Sequence, residues 1–281
     1  AQKITFNSAN DTEPTWSPDG NFLAFTSDRD GDKEIYIVEV GTKSACQDEQ
    51  TRKASESTES QKYQPARNLT NSPASQEYQP NWSSSNGINK ILYTSTRSHL
   101  TKGAADTAGN QNDEDIYVTS LSDEDIYVTS LSDETWEEND AVNLTAGLKT
   151  TLGKYSNESN GRWSENGTDV VFVSNQGGSN DIWLMTSSLS DEQEFHQLTK
   201  TPEYKESSPV WAEIKEDETN IIYKSEYDFI SDGNHDKTNE VTLKRMELSL
   251  KNDGKFESID SNKVTQLMDE QVIGFAWVTS E

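Results

Sequence analysis

The chain has 281 residues, 31% of them apolar and 26% charged, and 50 acidic against 24 basic side chains leave a formal net charge of −26. Such a carboxylate excess repels phosphates and excludes nucleic acid as an expected partner, and no apolar run approaches the length of a membrane-spanning helix. Cys46 is the lone cysteine, so no internal disulfide can form, and nothing around it suggests a nucleophile. A composition this polar leans toward disorder unless the apolar residues are gathered into short periodic strands, and here they are.

Lys3–Phe6 reads as a short opening strand. From Glu13 to Val40 the chain then reads as three strands and two tight turns. Trp16 sits in the first strand. Ser17-Pro18-Asp19-Gly20 is a turn, because proline presets φ and glycine accepts a positive one. Phe22-Leu23-Ala24-Phe25 is a compact apolar strand, Asp28–Lys33 is a second turn, and Ile35-Tyr36-Ile37-Val38 is the third strand.

The same arrangement recurs along the chain. It appears at Gln79–Ser95 with Asp115-Ile116-Tyr117-Val118 later, at Gly161–Leu184, and at Ser208–Ser225 with Thr242–Met246 later; Ile273–Val278 is a partial fifth copy. A further strand lies between successive copies: Arg67–Thr70, Ala141–Thr145, His196–Thr199 and Val264–Leu267. Repetition of a four-stranded unit is the sequence mark of a β-propeller. The expected fold is therefore all-β, a single domain of four-stranded antiparallel blades. The blades span about 12–70, 79–145, 160–199 and 208–267, with an incomplete closing blade from residues 3–6 and 273–278.

Between these units lie polar loops, Gly41–Tyr63, Thr96–Asn112 and Asp228–Glu240. Asp113–Ser122 is repeated letter for letter by Asp123–Ser132. The shift is even, so either copy presents the same faces to a sheet, and only one is needed as a third strand; the other is expected outside the blade as a loop or hairpin. Ring closure is the open question. The chain begins on an outermost strand and ends on an innermost one, which fits a fragment of a longer propeller, a four-bladed ring with an irregular closing blade, or completion by a partner chain at exposed strand edges.

The motif Pro-x-Trp-Ser-Pro-Asp-Gly, an apolar strand, then Ser-Asp-Arg-Asp-Gly and Ile-Tyr, over Pro14–Ile37, resembles the WD40-like repeat of TolB-type propellers. Later copies keep the tryptophan and apolar strands but replace Pro-Asp, with Ser84–Gly87, Glu165–Gly167 and Glu213–Glu218 in its place. The resemblance implies a non-catalytic scaffold in the periplasm or at the cell surface that binds envelope or surface proteins. Two other readings are a structural subunit of an extracellular surface assembly or filament, self-associating through open blade edges, and the accessory propeller of a peptidase or hydrolase. The absence of an initiating methionine fits a processed export product or a trimmed chain. No signal peptide is read, and no helical membrane span.

Asp28, Asp30, Asp32 and Glu34 alternate as carboxylates do in a calcium loop, which takes six to eight oxygens. The glycine and closing glutamate are misplaced for an EF-hand, and the same letters form the ordinary turn of the repeat. Ca²⁺ is thus the one candidate metal, and no cofactor is otherwise expected. His99, His196 and His235 are scattered, and neither a nucleophile-elbow nor a zinc-protease motif occurs, so no catalytic residues are assigned. The repeat tryptophans 16, 82, 163, 211 and 277 are expected to pack between blades. Trp136 stands outside the repeat as a candidate contact residue, beside the contact loops Gly41–Tyr63, Thr96–Asn112 and Leu131–Asp140.

Overall fold

In a computed structural model, the residues described are 4–5, 7–40, 66–73, 75–83, 90–96, 125–131, 138–146, 148–153, 156–186, 193–215, 218–227, 241–250 and 256–268. Sixteen strands, numbered in chain order, form four sheets of four. Blade one holds β1 (Asp11–Trp16), β2 (Phe22–Ser27), β3 (Glu34–Glu39) and β4 (Arg67–Asn68). Blade two holds β5 (Glu77–Trp82), β6 (Lys90–Ser95), β7 (Asp125–Leu131) and β8 (Glu138–Asn143). Blade three holds β9 (Glu158–Trp163), β10 (Val170–Ser174), β11 (Asp181–Thr186) and β12 (Glu194–Gln197). Blade four has the longest strands: β13 (Tyr204–Lys215), β14 (Glu218–Tyr227), β15 (Val241–Leu250) and β16 (Phe256–Met268). Within each blade the strands follow chain order, and every pairing is antiparallel.

The turn after each tryptophan explains how copies with different letters fold alike. In Ser17-Pro18-Asp19-Gly20, the Gly20 N–H donates to the Ser17 carbonyl at 2.9 Å and the Ser17 hydroxyl accepts from the Phe22 N–H at 2.9 Å. In Ser164-Glu165-Asn166-Gly167, the Gly167 N–H donates to Ser164 O at 2.9 Å and Ser164 Oγ accepts from the Asp169 N–H at 3.0 Å. Ser17 and Ser164 also donate to Asp19 Oδ1 and Asn166 Oδ1. Asp and Asn do the same job, and the glycines, at φ 70° and 68°, take the left-handed residue that the turn requires.

The blade cores are strips of side chains between successive sheets. Ala24, Ile35 and Ile37 of blade one pack with Trp82, Ile91 and Tyr93 of blade two. Leu92 and Leu144 of blade two pack with Trp163, Phe172 and Met185 of blade three. Val171, Val173 and Leu184 of blade three pack with Ile221, Tyr223 and Met246 of blade four, with Trp211 and Phe256 beside them. The first strands of successive blades touch, β1 on β5, β5 on β9 and β9 on β13, so they form the inner edge of the arc.

Two expectations change. The third strand of blade two is built from the second decapeptide copy, with Tyr93 opposite Tyr127 and Ser95 opposite Asp125. The even shift makes the two copies equivalent in face, and the second lies nearer in sequence to its other partner, β8. The first copy, Asp113–Ser122, lies outside the described residues. The tryptophans also divide. Trp82 and Trp163 are 5% and 6% exposed at blade junctions and Trp211 is half-buried there, but Trp16 is 53% exposed. Its position in the repeat faces the side of blade one that meets no other described blade. Loops Gly41–Tyr63 and Asp228–Glu240, residues 97–112 and 132–137, Trp136, Cys46, the 84–87 turn and the closing segment Ile273–Val278 lie outside the described residues.

Candidate functional site

Aligned on their tryptophans, β1, β5, β9 and the same stretch of β13 read DTEPTW, EYQPNW, ESNGRW and ESSPVW. Three of the six positions carry polar groups that the fold places along the inner edge.

Five residues before the tryptophan stands an acid: Asp11, Glu77, Glu158 or Glu206. Each pairs in register with the last serine of the second strand or its equivalent, Ser27, Ser95, Ser174 or Ser225. Ser95 Oγ donates to Glu77 at 2.7 Å, Ser174 Oγ to Glu158 at 2.7 Å and Ser225 Oγ to Glu206 at 3.4 Å. The preceding blade closes over these acids. The Glu77 N–H donates to Lys33 O and the Glu206 N–H to Asn180 O, both at 2.8 Å.

A second buried acid begins the third strand of blades one and three. Glu34 accepts from the Thr70 hydroxyl and the Ser72 N–H. Asp181 accepts from Thr199 Oγ1 at 3.2 Å and from Ser179 Oγ and Gln197 Nε2 at 3.0 Å each. At the junction of blades three and four, Thr201 joins the two acids, its N–H reaching Asp181 at 3.4 Å and its hydroxyl donating to Glu206. Burial pushes the Glu206 carboxyl up to about 7; the nearby Asp181 charge adds to this, while Thr201, Lys244 and Ser225 oppose it. Asp181 is also raised, chiefly by burial, against the pull of its hydrogen bonds. Burial disfavours the ionised carboxylate, and a second acid nearby does so again.

Three residues before the tryptophan the backbone is left-handed in all four blades, at Glu13 (φ 54°), Gln79 (φ 56°), Asn160 (φ 56°) and Ser208 (φ 53°). The register of β1, β5, β9 and β13 against its neighbour slips there, so each inner strand carries a bulge. None of the four is glycine, so each holds a conformation that costs on the order of 1–2 kcal/mol for an L side chain. The bulge turns an amide toward the preceding blade, where it finds an acceptor: Gln79 N–H donates to Glu13 Oε2 at 2.9 Å, and Asn160 N–H donates to Gln79 Oε1 at 2.9 Å.

The residue just before the tryptophan makes a second bridge. Trp82 N–H donates to Thr15 Oγ1 at 3.4 Å, and Trp163 N–H to Asn81 Oδ1 at 2.8 Å. Blade three breaks the pattern with Arg162, which has no acceptor to offer; its backbone carbonyl accepts from the Trp211 indole at 3.0 Å instead. The half-buried Arg162 guanidinium donates to Gly161 O at 2.8 Å. Desolvation lowers its pKa and the Glu13 carboxylate, two blades away, works against that.

Gln79 is thus acceptor and donor at once in a chain of three bulges. Gln79→Ala is expected to cost about 1–2 kcal/mol of unfolding free energy, because its side-chain oxygen accepts from both the Asn160 N–H and the Thr94 hydroxyl and two part-buried donors are left behind. Gln79→Gly is expected to recover part of that loss by relieving the left-handed backbone. Urea melts of the two variants check both statements.

The sequence-predicted metal residues lie close in sequence, Asp28, Asp30 and Asp32 in one loop and Glu34 at the start of β3, but engage different neighbours. Asp28 accepts from the Asn10 N–H at 2.8 Å and from Asn10 Nδ2 at 2.7 Å, and Asp30 accepts from the Tyr36 hydroxyl. Glu34 is turned into the junction with blade two, as above, while Asp32 Oδ2 is buried without a hydrogen-bond partner. Among the described residues, no group of three or more His, Cys, Asp or Glu side chains is arranged to hold a metal ion. His196, the one described histidine, lies in β12 with its ring 4.7 Å from that of Phe256.

No protein-family model matches the sequence, and no curated protein matches it. Solved structures do. A TolB structure from Agrobacterium tumefaciens superposes over 95% of this chain and 68% of its own, at TM-score 0.54 and 17% identity. The fold is that of a TolB-like β-propeller. TolB from Acinetobacter baumannii matches over 90% of this chain and 43% of its own, at TM-score 0.45 and 16% identity. A Dyadobacter fermentans protein of unknown function matches over 92% of this chain and 71% of its own, at TM-score 0.49 and 13% identity. The described residues of this TolB-like propeller form four blades, and the chain spans less than half the length of the second of these matches. Among its described residues no helix is long and apolar enough to cross a membrane.

Proposed function

We propose that this TolB-like propeller is a non-catalytic scaffold that binds protein partners in the periplasm or at the cell surface. The observation that supports this is the use made of its buried acids. Glu34, Glu77, Glu158, Asp181 and Glu206 are all buried and hydrogen-bonded within the blades or their junctions, as structural acceptors rather than as an open carboxylate pair around a substrate. The remaining acidity lies on a chain of net charge −26, which selects partners carrying basic patches.

Immobilised protein is expected to retain a discrete set of basic envelope proteins and to release them as salt rises, because exposed charges are screened beyond about 8 Å at physiological ionic strength. Retention that ignores salt would remove the electrostatic part of this reading. Turnover of a peptide or ester substrate by the purified chain, lost on replacing one inner-edge acid by its amide, would replace the scaffold by an enzyme.

A further inference from the structure

The three junctions are not joined alike. At the first two, the earlier blade offers two side-chain oxygens to two backbone N–H groups of the later one: Glu13 and Thr15 to Gln79 and Trp82, then Gln79 and Asn81 to Asn160 and Trp163. At the third, Arg162 stands in the second acceptor position and has no side-chain oxygen to offer. Its carbonyl takes the Trp211 indole N–H at 3.0 Å. Other polar links between blades three and four gather around Glu206. Its N–H donates to Asn180 O at 2.8 Å, and its carboxyl accepts from Thr201 Oγ1 at 2.5 Å, while the Thr201 N–H reaches Asp181 Oδ1 at 3.4 Å.

A count of donors separates the two acids. Asp181 receives four: Ser179 Oγ and Gln197 Nε2 at 3.0 Å each, Thr199 Oγ1 at 3.2 Å, and the Thr201 N–H. Its charge is well compensated. Glu206 receives the Thr201 hydroxyl and, at 3.4 Å, the Ser225 hydroxyl, and its Oε2 is buried without a hydrogen-bond partner. An ionised carboxylate so placed, beside a second one, is costly, and protonation removes that charge. At the first junction the corresponding acids, Glu34 and Glu77, are kept apart by two serines, with Ser72 Oγ 2.8 Å from Ser75 Oγ. Glu77 there takes both Ser75 Oγ at 2.6 Å and Ser95 Oγ at 2.7 Å. Among the described residues, the other titratable groups that face Glu206 are Tyr223 of β14, which is buried, and Lys244 of β15, whose ammonium lies 4.5 Å from the Tyr204 ring centroid.

We propose that the junction of blades three and four is a proton-operated latch, in which one proton held on Glu206 beside Asp181 keeps blade four seated on blade three and its loss opens this junction ahead of the other two. Burial and the Asp181 charge set the latch near neutral pH, since together they push the Glu206 carboxyl up to about 7. In the opened junction the carboxyl meets water and returns toward its ordinary value of 4.5, so the open form gains on the closed one as pH rises between those two values. The first two junctions keep their inner-edge bridges, whose backbone donors do not titrate.

The test is amide hydrogen exchange of the full chain, read by mass spectrometry at pH 6 and pH 8, with each rate divided by its intrinsic chemical rate at that pH. The segment 201–207 around Glu206 is expected to open about tenfold more often at pH 8, the factor that carboxyl values of about 7 when closed and 4.5 when open require. The segment 76–82 around Glu77 is expected to stay unchanged, although the Glu77 N–H makes the same interblade bond, to Lys33 O at 2.8 Å. Glu206→Gln is expected to hold 201–207 closed at both pH values. Asp181→Asn removes the neighbouring charge and is expected to move the midpoint of the rise to lower pH, which a purely structural role for Asp181 would not do. Equal pH dependence in the two segments would reduce the effect to the general repulsion of an acidic chain and overturn the latch. A flat response at 201–207 would overturn it too, and one that calcium chloride slows would put a cation, not a proton, between the two acids.

Discussion

Replacing Glu206 by glutamine is expected to abolish a loss of stability that the wild-type protein suffers between about pH 5 and pH 8. The residue is 1% exposed and lies beside Asp181, and burial pushes its carboxyl up to about 7 in the folded chain from the ordinary glutamate value of 4.5. A folded pKa above the unfolded one means that the native state holds an extra proton between those two values. Stability on this account is therefore greatest below the unfolded pKa and falls as pH rises through the folded one. The gap corresponds to roughly 3 kcal/mol, at about 1.4 kcal/mol for each pH unit. Glutamine keeps the shape and cannot ionise. The variant is expected to match wild type near pH 5 and to exceed it by about 2–3 kcal/mol at pH 8. The charged and titratable neighbours are Asp181 on β11, Tyr223 on β14 and Lys244 on β15. Because the whole chain is acidic, its general self-repulsion also grows with pH, so the decisive quantity is the difference between variant and wild type in urea melts at each pH. A difference that does not change with pH would show that Glu206 is ionised in the fold.

The sequence made the blades legible because their signals are local. Trp16-Ser17-Pro18-Asp19-Gly20 states a strand end and a left-handed turn in five letters, and Val170–Ser174 states a buried strand by composition alone. The tryptophan column led to the junctions at Trp82, Trp163 and Trp211 for the same reason. Trp16 departs from its copies because burial belongs to the neighbour, and the neighbour is not encoded in the motif. The bulge was hidden for another reason. A left-handed residue is usually announced by glycine or by Asn-Gly, and here Glu13, Gln79, Asn160 and Ser208 hold it, the side chains of Glu13 and Gln79 serving as interblade acceptors. The buried acids did leave a trace. Asp11, Glu77, Glu158 and Glu206 stand five residues before their tryptophans in every copy, a column visible once the copies are aligned on the tryptophan rather than on the turn. The choice between Asp115–Val118 and Asp125–Val128 as the third strand of blade two could not be read, because two identical decapeptides at an even spacing offer the sheet identical faces.

Trp163→Ala and Trp16→Ala should separate sharply although the two residues hold one position in the repeat. Trp163 is 6% exposed, packs with Leu144, Phe172 and Met185, and its N–H bridges to Asn81. Truncating it opens a cavity across the junction of blades two and three, and such changes cost about 3–5 kcal/mol in packed cores. Trp16, at 53% exposed, has little core to lose, and its truncation is expected to cost less than about 1 kcal/mol. The backbone bridges should survive in both variants, since they use main-chain donors, so the contrast isolates the indole. Chemical denaturation of the purified chain checks it directly. An equal loss in the two variants would mean that Trp16 is packed against another group in solution.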